Sequence, residues 1–403
     1  MMNPSYSRCA QFKEEGDRII SNREHGRRGS PKETYLGVGR CADLGGEASK
    51  WSSFNRYIQE KVVATLLEPC DEANKGWQSE ERIQWEKDIA EWVNAAPREQ
   101  RDRHEVARIL LGMKRHQTEL DLSHFKTMTV LPRLPRWLER LDLNGCESLT
   151  ELSLLPPGLT RLDLTGCALL KGLPPLPTGL QVLKIACCAS LICLPSSLPE
   201  SLHYLDVSHC LSLVRLPWGL PSRLLELNAS LCIRLMRLPE LPDSLQHLDV
   251  SGCKSLIHLP VTLPSGLVDL NTSECSILLS LPARLPKSLQ YLNVANCPLV
   301  EIPALPETLQ YLNVRGCPLL EVPTLPESLL YLNVSACPLV SLPSLPKGLY
   351  ELDACACLVL TTLPTLPEGL AILDVRRCLL LTQLPSTLPD KLAILSIGSG
   401  VRC

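Results

Sequence analysis

The twenty residues PLLEVPTLPESLLYLNVSAC (318–337) nearly copy the twenty residues before them, PLVEIPALPETLQYLNVRGC (298–317). Each copy ends in cysteine, and cysteines in the same place recur upstream and downstream at spacings of 20 to 22 residues. Self-similarity at a period of roughly 20 to 50 residues is typical of a solenoid, in which each unit buries its apolar face against its neighbours. The in-register cysteines are Cys146, Cys167, Cys188, Cys210, Cys232, Cys253, Cys275, Cys297, Cys317, Cys337, Cys357 and Cys378.

The second half of the copy, LLYLNVSAC, has the alternation of a strand with one buried face. Leu332 and Val334 are apolar, whereas Tyr331, Asn333 and Ser335 are polar and lie between or beside them. The sequence therefore predicts one short strand per copy, with Tyr331, Asn333 and Ser335 facing outward.

The first half of the copy, PLLEVPTLP, is rich in proline, which lacks an N–H and holds φ near about −65°. Such a segment forms neither a helix nor a central strand, so we expect an extended, polyproline-like arm. The cysteine follows the strand, where the chain turns inward and a small apolar side chain with a weak donor is suitable. We expect reduced, buried cysteines, because a column with one cysteine per repeat lacks the clustered ligands of a zinc site.

Three segments of the chain differ in composition. Residues 1–50 contain few apolar side chains and are predicted to be a disordered leader. Residues 52–118 are predicted to be helical and to include a cap for the repeats. Residues 119–400 are predicted to form about fourteen repeats, with Phe125 and Gly400 in the cysteine's place in degenerate first and last copies. The predicted fold class is a leucine-rich-repeat solenoid with parallel β-strands on the concave face, an extended polyproline-like convex side and an N-terminal α-helical cap.

Three helices are expected in the segment before the repeats. The first begins at Ser52 or Ser53, the second begins near Ser79, and the third has Pro97 in its first turn. Each has apolar residues at helical spacing. These residues are Phe54, Tyr57, Ile58, Val62 and Leu66 in the first helix, Ile83, Ile89, Trp92 and Val93 in the second, and Val106, Ile109, Leu110 and Met113 in the third.

Composition excludes several classes of function. The net charge is −3 over 403 residues, so we expect no nucleic-acid partner. Proline and polar residues interrupt every apolar run before the roughly 18 residues that a membrane span needs, so no span is predicted. No phosphate-binding loop, catalytic dyad or cluster of metal ligands can be recognised, and no catalytic activity, cofactor or metal is expected.

The repeats resemble those of the bacterial YopM and IpaH effector family, which have leucine-rich repeats of the LPX type. EIPALPETLQYLNVRGC and EVPTLPESLLYLNVSAC carry the resemblance most clearly, and the segment 83–125 is similar to that family's N-terminal cap. Together the resemblance covers about residues 79–397. It implies a protein delivered by a type III secretion system into the host cell, with the host cytoplasm as its location and host proteins as its partners. It also implies that residues 1–50 carry the secretion signal.

Two other interpretations remain open. Many members of this family add a C-terminal E3 ubiquitin ligase domain with a catalytic Cys-x-Asp motif. No such domain follows the repeats here, and Cys41-Ala-Asp43 spells the motif only in the predicted leader. The chain could therefore be the substrate-recognition part of a ligase. LDLNGCESLTEL and LDVSGCKSLIHLP are also similar to repeats of plant immune receptors, although the upstream phosphate-binding loop of those receptors does not occur.

The outward strand positions are the candidate partner-binding surface. Tyrosine recurs six places before the cysteine, and Asp or Asn recurs four places before it. Exposed tyrosines suit protein binding because they bury a large area with little loss of side-chain entropy. The alternatives are that tyrosine fills the gap between repeats and that Asp and Asn solvate the strands. The predicted site comprises Tyr204, Tyr291, Tyr311, Tyr331, Asn293, Asn313, Asn333 and Arg315.

Overall fold

The computed structural model describes residues 79–95, 102–114 and 116–398. Two helices, α1 and α2, precede one sheet of fourteen parallel strands, in which the order of the strands follows the sequence. The predicted solenoid of parallel strands is thereby confirmed. The elements are α1 Ser79–Asn94, α2 Asp102–Gly112, β1 Glu119–Asp121, β2 Arg140–Asp142, β3 Arg161–Asp163, β4 Val182–Lys184, β5 Tyr204–Asp206, β6 Glu226–Asn228, β7 His247–Asp249, β8 Asp269–Asn271, β9 Tyr291–Asn293, β10 Tyr311–Asn313, β11 Tyr331–Asn333, β12 Glu351–Asp353, β13 Ile372–Val375 and β14 Ile394–Ile397.

The strands pair so that equivalent residues of neighbouring repeats lie side by side. In β10 and β11, for example, Leu312 is the partner of Leu332, and both side chains are buried. A leucine occupies the middle of every strand up to β13 and is at most 4% exposed. Since the residues before and after this leucine point the other way, they form two continuous columns on the outer face of the sheet.

The cysteine column lies inside the solenoid, as the sequence predicts. Eleven of the twelve thiols donate to the backbone carbonyl oxygen of the residue three places before the previous repeat's cysteine, and Cys146 donates to the oxygen of Leu122, three places before Phe125. Cys337, for example, donates from Sγ to the oxygen of Val314 at 3.1 Å. None of the described cysteines forms a disulfide bond. Burial in the apolar core raises the pKa of the thiols, to about 12 for Cys337.

The residue immediately before each cysteine has a positive φ. Glycine, which adopts this left-handed conformation without strain, takes this place in four repeats, and Gly316 has φ 68°. In eight other repeats a residue with a side chain takes the same place, including Ala336 with φ 58° and Leu231 with φ 58°. Every one of these turns thus needs the left-handed conformation, but only four of the twelve have glycine, the residue that adopts it most easily.

The two helices contact the first repeats through specific polar groups. The indole N–H of Trp85 donates to the carbonyl oxygen of Arg133 at 2.6 Å, and that of Trp92 donates to the oxygen of Val130 at 3.1 Å. At the start of α2, the Asp102 carboxylate accepts hydrogen bonds from the backbone N–H and hydroxyl of Thr127. These contacts attach the helices to the N-terminal end of the repeats, where a cap must cover the first core layer.

The helices differ in detail from the prediction. α1 begins at the predicted Ser79, but α2 begins at Asp102, and Pro97 lies outside the described residues. Of the four residues of the predicted stripe, Val106 and Leu110 are buried, whereas Ile109 and Met113 are partly exposed. Arg103, Ala107 and Leu111 complete the buried face instead. The predicted leader, the first predicted helix, Cys41-Ala-Asp43 and Gly400 all lie outside the described residues.

Candidate functional site

The first residue of each strand forms the outer column that varies most along the sheet. Apolar, acidic, basic and aromatic side chains succeed one another within it, although the leucine behind them does not change. This column, called here the variable column, comprises Glu119, Arg140, Arg161, Val182, Tyr204, Glu226, His247, Asp269, Tyr291, Tyr311, Tyr331, Glu351, Ile372 and Ile394.

Three predicted site tyrosines are neighbours in the variable column, and Tyr350, which was not predicted and lies outside this column, contacts the last of them. The rings of Tyr291 and Tyr311 are stacked, with centroids 4.3 Å apart and an interplanar angle of 9°. Tyr331 follows at 6.3 Å from Tyr311, and Tyr350 at 5.9 Å from Tyr331. We call these four residues the tyrosine cluster. The rings fill the space between neighbouring strands, so the packing role considered for them is observed.

The tyrosine cluster still presents ring surface and hydroxyl groups to solvent. Tyr291, Tyr311 and Tyr331 are half-buried, and Tyr350 is 45% exposed. Burial raises the pKa of Tyr291, and the neighbouring Tyr311 hydroxyl adds to this effect, so Tyr291 is neutral at physiological pH. Tyr350 escaped the sequence analysis because it lies one place before β12 rather than in the strand.

Tyr204 stands apart from the tyrosine cluster. It belongs to β5, whereas the cluster begins at β9, so three strands separate them. The ammonium nitrogen of Lys184 lies 6.0 Å from the centroid of the Tyr204 ring. Burial raises the pKa of this tyrosine too. The structure therefore does not bring all the predicted tyrosines into one site.

Asp and Asn at the third position of the strands have a more specific role than solvation. In each of the twelve strands β1–β3 and β5–β13 that carry Asp or Asn there, a side-chain oxygen accepts the backbone N–H two residues further on. This bond closes the turn that follows the strand. Among the predicted site residues, Asn293, Asn313 and Asn333 all make it.

The turn also determines the exposure of the residue two places after the third strand position, which is Ser335 after β11 and Arg315 after β10. Ser335 was predicted to face outward but is 4% exposed, and its hydroxyl donates to Asn333 at 2.6 Å. The prediction is wrong because the strand ends at Asn333, so the alternation does not extend to Ser335. Arg315 occupies the equivalent place after β10, and it is exposed.

A charged group in the middle of the variable column was not singled out from the sequence. His247 Nδ1 lies 3.4 Å from an Asp269 carboxylate oxygen, and this contact raises the pKa of the imidazole. Burial raises the pKa of Glu226 on the other side of His247. These three residues are adjacent because they begin neighbouring strands. Their separation by about one repeat in the sequence is the feature from which this proximity could have been predicted.

The described residues offer little for catalysis. Cys187 is exposed and Cys355 is partly exposed, but burial raises the pKa of both thiols, which disfavours the nucleophilic thiolate. Among residues 79–95, 102–114 and 116–398, no three His, Cys, Asp or Glu side chains are grouped in a way that would hold a metal ion. Neither described helix is long and apolar enough to cross a membrane.

Solved structures provide the comparisons for this chain. No protein-family model and no curated protein matches it. It is similar to YopM from Yersinia pestis, a leucine-rich effector protein, with 27% identity, 79% of this chain and 99% of that chain covered, and a TM-score of 0.56. YopM from Yersinia enterocolitica WA-314 is 28% identical, with 78% and 87% covered and a TM-score of 0.37.

A third similar structure is the functional domain of InlJ from Listeria monocytogenes, which includes a cysteine ladder. It is 22% identical, with 71% of this chain and 64% of that chain covered and a TM-score of 0.41. Of these three structures, YopM from Yersinia pestis has the highest TM-score, and the similarity extends over almost its whole length. The chain therefore has the leucine-rich-repeat fold of a bacterial effector-like protein.

Proposed function

We propose that this chain is a bacterial effector that binds a host protein on the outer face of its sheet, and that the tyrosine cluster is the centre of the binding surface. The observation that carries the proposal is the aromatic patch of Tyr291, Tyr311, Tyr331 and Tyr350, which lies on an ordered sheet and is partly open to solvent. The likeness to the effector YopM supports the bacterial and effector part of the proposal.

The packing of the tyrosine rings favours binding. A ring already held against its neighbour loses little conformational freedom when a partner covers it, so more of the contact energy contributes to affinity. The hydroxyl groups are able to form hydrogen bonds with a partner, and Arg315 is an exposed cation in the same repeat as Tyr311. Because the column is fixed by the ladder of the strands, the patch is presented without rearrangement.

A triple variant tests the proposal. Tyr291→Ala, Tyr311→Ala and Tyr331→Ala together should leave the circular dichroism spectrum unchanged and reduce capture of the partner from host-cell lysate at least tenfold. The matched control replaces Lys287, Glu307 and Glu327 by Ala, since these exposed residues lie in the same three repeats but outside the strands. Equal capture by the triple variant and the wild type would refute a binding role for the tyrosine cluster.

We also propose that the protein acts without catalysis and that a type III secretion system delivers it to the host cytoplasm. The raised pKa values of the Cys187, Cys355 and Cys337 thiols support a non-catalytic role. The alternative is that the chain recognises substrates for a ubiquitin ligase. Incubation of the full chain with ubiquitin, E1 and a panel of E2 enzymes distinguishes the two, because autoubiquitination would contradict the proposal.

Fusion of residues 1–50 to a reporter protein tests export by the type III secretion system.

A further inference from the structure

A second surface runs along the flank of the solenoid, away from the strand face. In each of eight successive repeats, an aliphatic residue follows the first buried leucine after the cysteine, and Val300 after Leu299 is an example. Seven of the eight are between 39% and 71% exposed, and Val214 is partly exposed. We call this column the flank stripe. Its members are Ile192, Val214, Met236, Ile257, Leu279, Val300, Leu320 and Val340.

The flank stripe is continuous. The backbone N–H of Val214 donates to the carbonyl oxygen of Ile192, and that of Ile257 donates to the oxygen of Met236, both at 3.3 Å. These two bonds place the linked members one strand spacing apart. At about 4.8 Å per repeat, the eight successive repeats that carry the stripe span roughly 34 Å. The stripe ends in polar residues, because Lys171 precedes Ile192 in the column and Thr361 follows Val340.

A charged column accompanies the flank stripe, since the residue after each member is also exposed. Through the first half of the stripe this column is basic, with Arg215, Arg237 and His258. In the second half it is acidic, with Glu301 and Glu321, and Ser280 lies between the two halves. In the part of the chain that the structure describes, none of the four arginine and glutamate residues has an ion-pair partner.

We infer that the flank stripe is a self-association surface, on which a second copy of this chain packs in the antiparallel direction. The middle of the eight-residue stripe lies between Ile257 and Leu279. The change of charge from basic to acidic falls at the same place, between His258 and Glu301. A two-fold axis at that point pairs each of the two arginines with a glutamate of the second copy, and His258 with Ser280, in the reciprocal way that an isologous interface requires.

The pairing follows from counting repeats outward from the axis. Arg237 meets Glu301 of the second copy, Arg215 meets Glu321, and the two apolar stripes cover one another along their whole length. A parallel arrangement would place like charges together and is disfavoured. A partner with another sequence would need the same inversion of charge at the same distance, whereas a second copy supplies it by symmetry.

The flank stripe is large enough for one side of a dimer interface. Eight aliphatic side chains that are about half exposed leave on the order of 700 Å² of apolar surface, near the roughly 800 Å² that each partner contributes to an interface of standard size. Exposed apolar patches of this extent are uncommon on monomers and mark interaction sites. The charged column beside the stripe then forms the polar rim of the interface.

A charge exchange tests the register. The full chain should sediment as a dimer at micromolar concentration, and Arg237→Glu or Glu301→Arg alone should weaken dimerisation at least tenfold. The double variant Arg237→Glu/Glu301→Arg should return to within about threefold of the wild type, because each altered residue again meets the opposite charge. Arg161→Glu, which changes an exposed charge on the strand face in β3, is the control and should have no effect.

A cross-link tests the orientation independently. Exposed Cys193 follows Ile192 at one end of the stripe, and exposed Ser341 follows Val340 at the other end. In the antiparallel dimer these two positions meet, so Ser341→Cys should produce an oxidised dimer on a non-reducing gel. Adding Cys193→Ser should abolish that dimer.

The outcomes separate clearly. Dimerisation that is restored by the charge exchange, together with a cross-link that needs Cys193, supports the inference. A chain that is monomeric at every concentration tested overturns it, and so does a dimer that neither Leu279→Asp nor Arg237→Glu weakens. Binding of another protein to the stripe without self-association would also overturn it. Thermal unfolding of each variant near the wild-type temperature shows that the fold is retained.

Discussion

The cysteine column and the variable column follow the same repeat but differ in how much they change. Cysteine occurs at twelve successive places from Cys146 to Cys378, and each thiol makes the same bond to a carbonyl oxygen. The variable column, by contrast, contains seven residue types in fourteen strands. The interior accepts only a side chain of one size and polarity, whereas the outer face meets solvent. The buried column thus fixes the frame of the repeats, whereas the residues of the outer column are free to vary.

The largest expected effect concerns the cysteine column and pH. An unfolded thiol ionises near pH 8.5 or so, but burial raises the pKa of the folded thiols, to about 12 for Cys146 and Cys210. The stabilisation is therefore complete below about pH 8.5 and is lost as pH rises towards the folded pKa. Each thiol whose pKa is raised lowers the free energy of unfolding by up to about 1.4 kcal/mol per pH unit in this range, so the column should make the chain markedly less stable above about pH 8.5.

Thermal unfolding at about pH 7.5 and about pH 9.5 under reducing conditions measures this loss. The double variant Cys232→Ala/Cys253→Ala has two fewer thiols, so its unfolding temperature should fall less between the two pH values, even though it begins lower. An unfolding temperature that does not change with pH would show that the thiols ionise as readily in the folded chain as in the unfolded chain.

The next prediction concerns the loss of stability when a side chain is removed from either face of the same strand. Leu332→Ala in β11 removes a side chain that is 1% exposed and should cost roughly 2 to 5 kcal/mol of unfolding free energy. Tyr331→Ala, one residue away on the outer face, should cost about 1 kcal/mol, because it removes only part of a stack. Urea unfolding of the two variants provides the measurement. Equal costs would mean that the tyrosine cluster belongs to the core.

A smaller effect is expected at the end of the strand. Asn313→Ala removes the oxygen that accepts the N–H of Arg315, and it should cost about 1 kcal/mol of unfolding free energy. Asn313→Asp keeps an acceptor in the same place and should be nearly neutral. Differential scanning calorimetry of the pair tests this. A stable Ala variant would exclude closure of the turn as the main role of the side chain.

The smallest effect is a gain in stability at the turn. Ala336 has φ 58°, so Ala336→Gly should relieve backbone strain and stabilise the chain by about 0.5 kcal/mol. Gly316 has φ 68° at the same place one repeat earlier, and an added Cβ would contact Asn296. Gly316→Ala should therefore destabilise the chain by about 1 to 2 kcal/mol. Unfolding temperatures that shift in the same direction for both variants would contradict this account.

The fold could be predicted because its causes are local and recur. Leucine and proline at fixed places determine the strand and the arm within each repeat, and stacking follows from the apolar face. Ser335 shows where this reasoning fails, since it assumed that the alternation continues past the end of the strand. The alternation stops at Asn333, and the length of a strand is set by the turn that the side chain of Asn333 closes.

The candidate site was predicted only in part, because its properties depend on neighbours that are distant in the sequence. Tyr350 lies beside Tyr331 in space but occupies a different place in its repeat. The raised pKa of His247 depends on Asp269, which is one repeat away. Alignment of repeats identifies columns, but it does not show which side chains in adjacent columns are in contact.

The bond that closes each turn has an evolutionary consequence. It needs one acceptor oxygen, which Asp and Asn both provide, and it occurs with Asp249 in β7 and with Asn271 in β8. Codons for these two amino acids differ by a single base. Point mutation can therefore add or remove one negative charge at any of these positions while the turn stays closed. A lineage carrying this protein can change the electrostatic pattern of the outer face of the sheet stepwise, with each intermediate still folded.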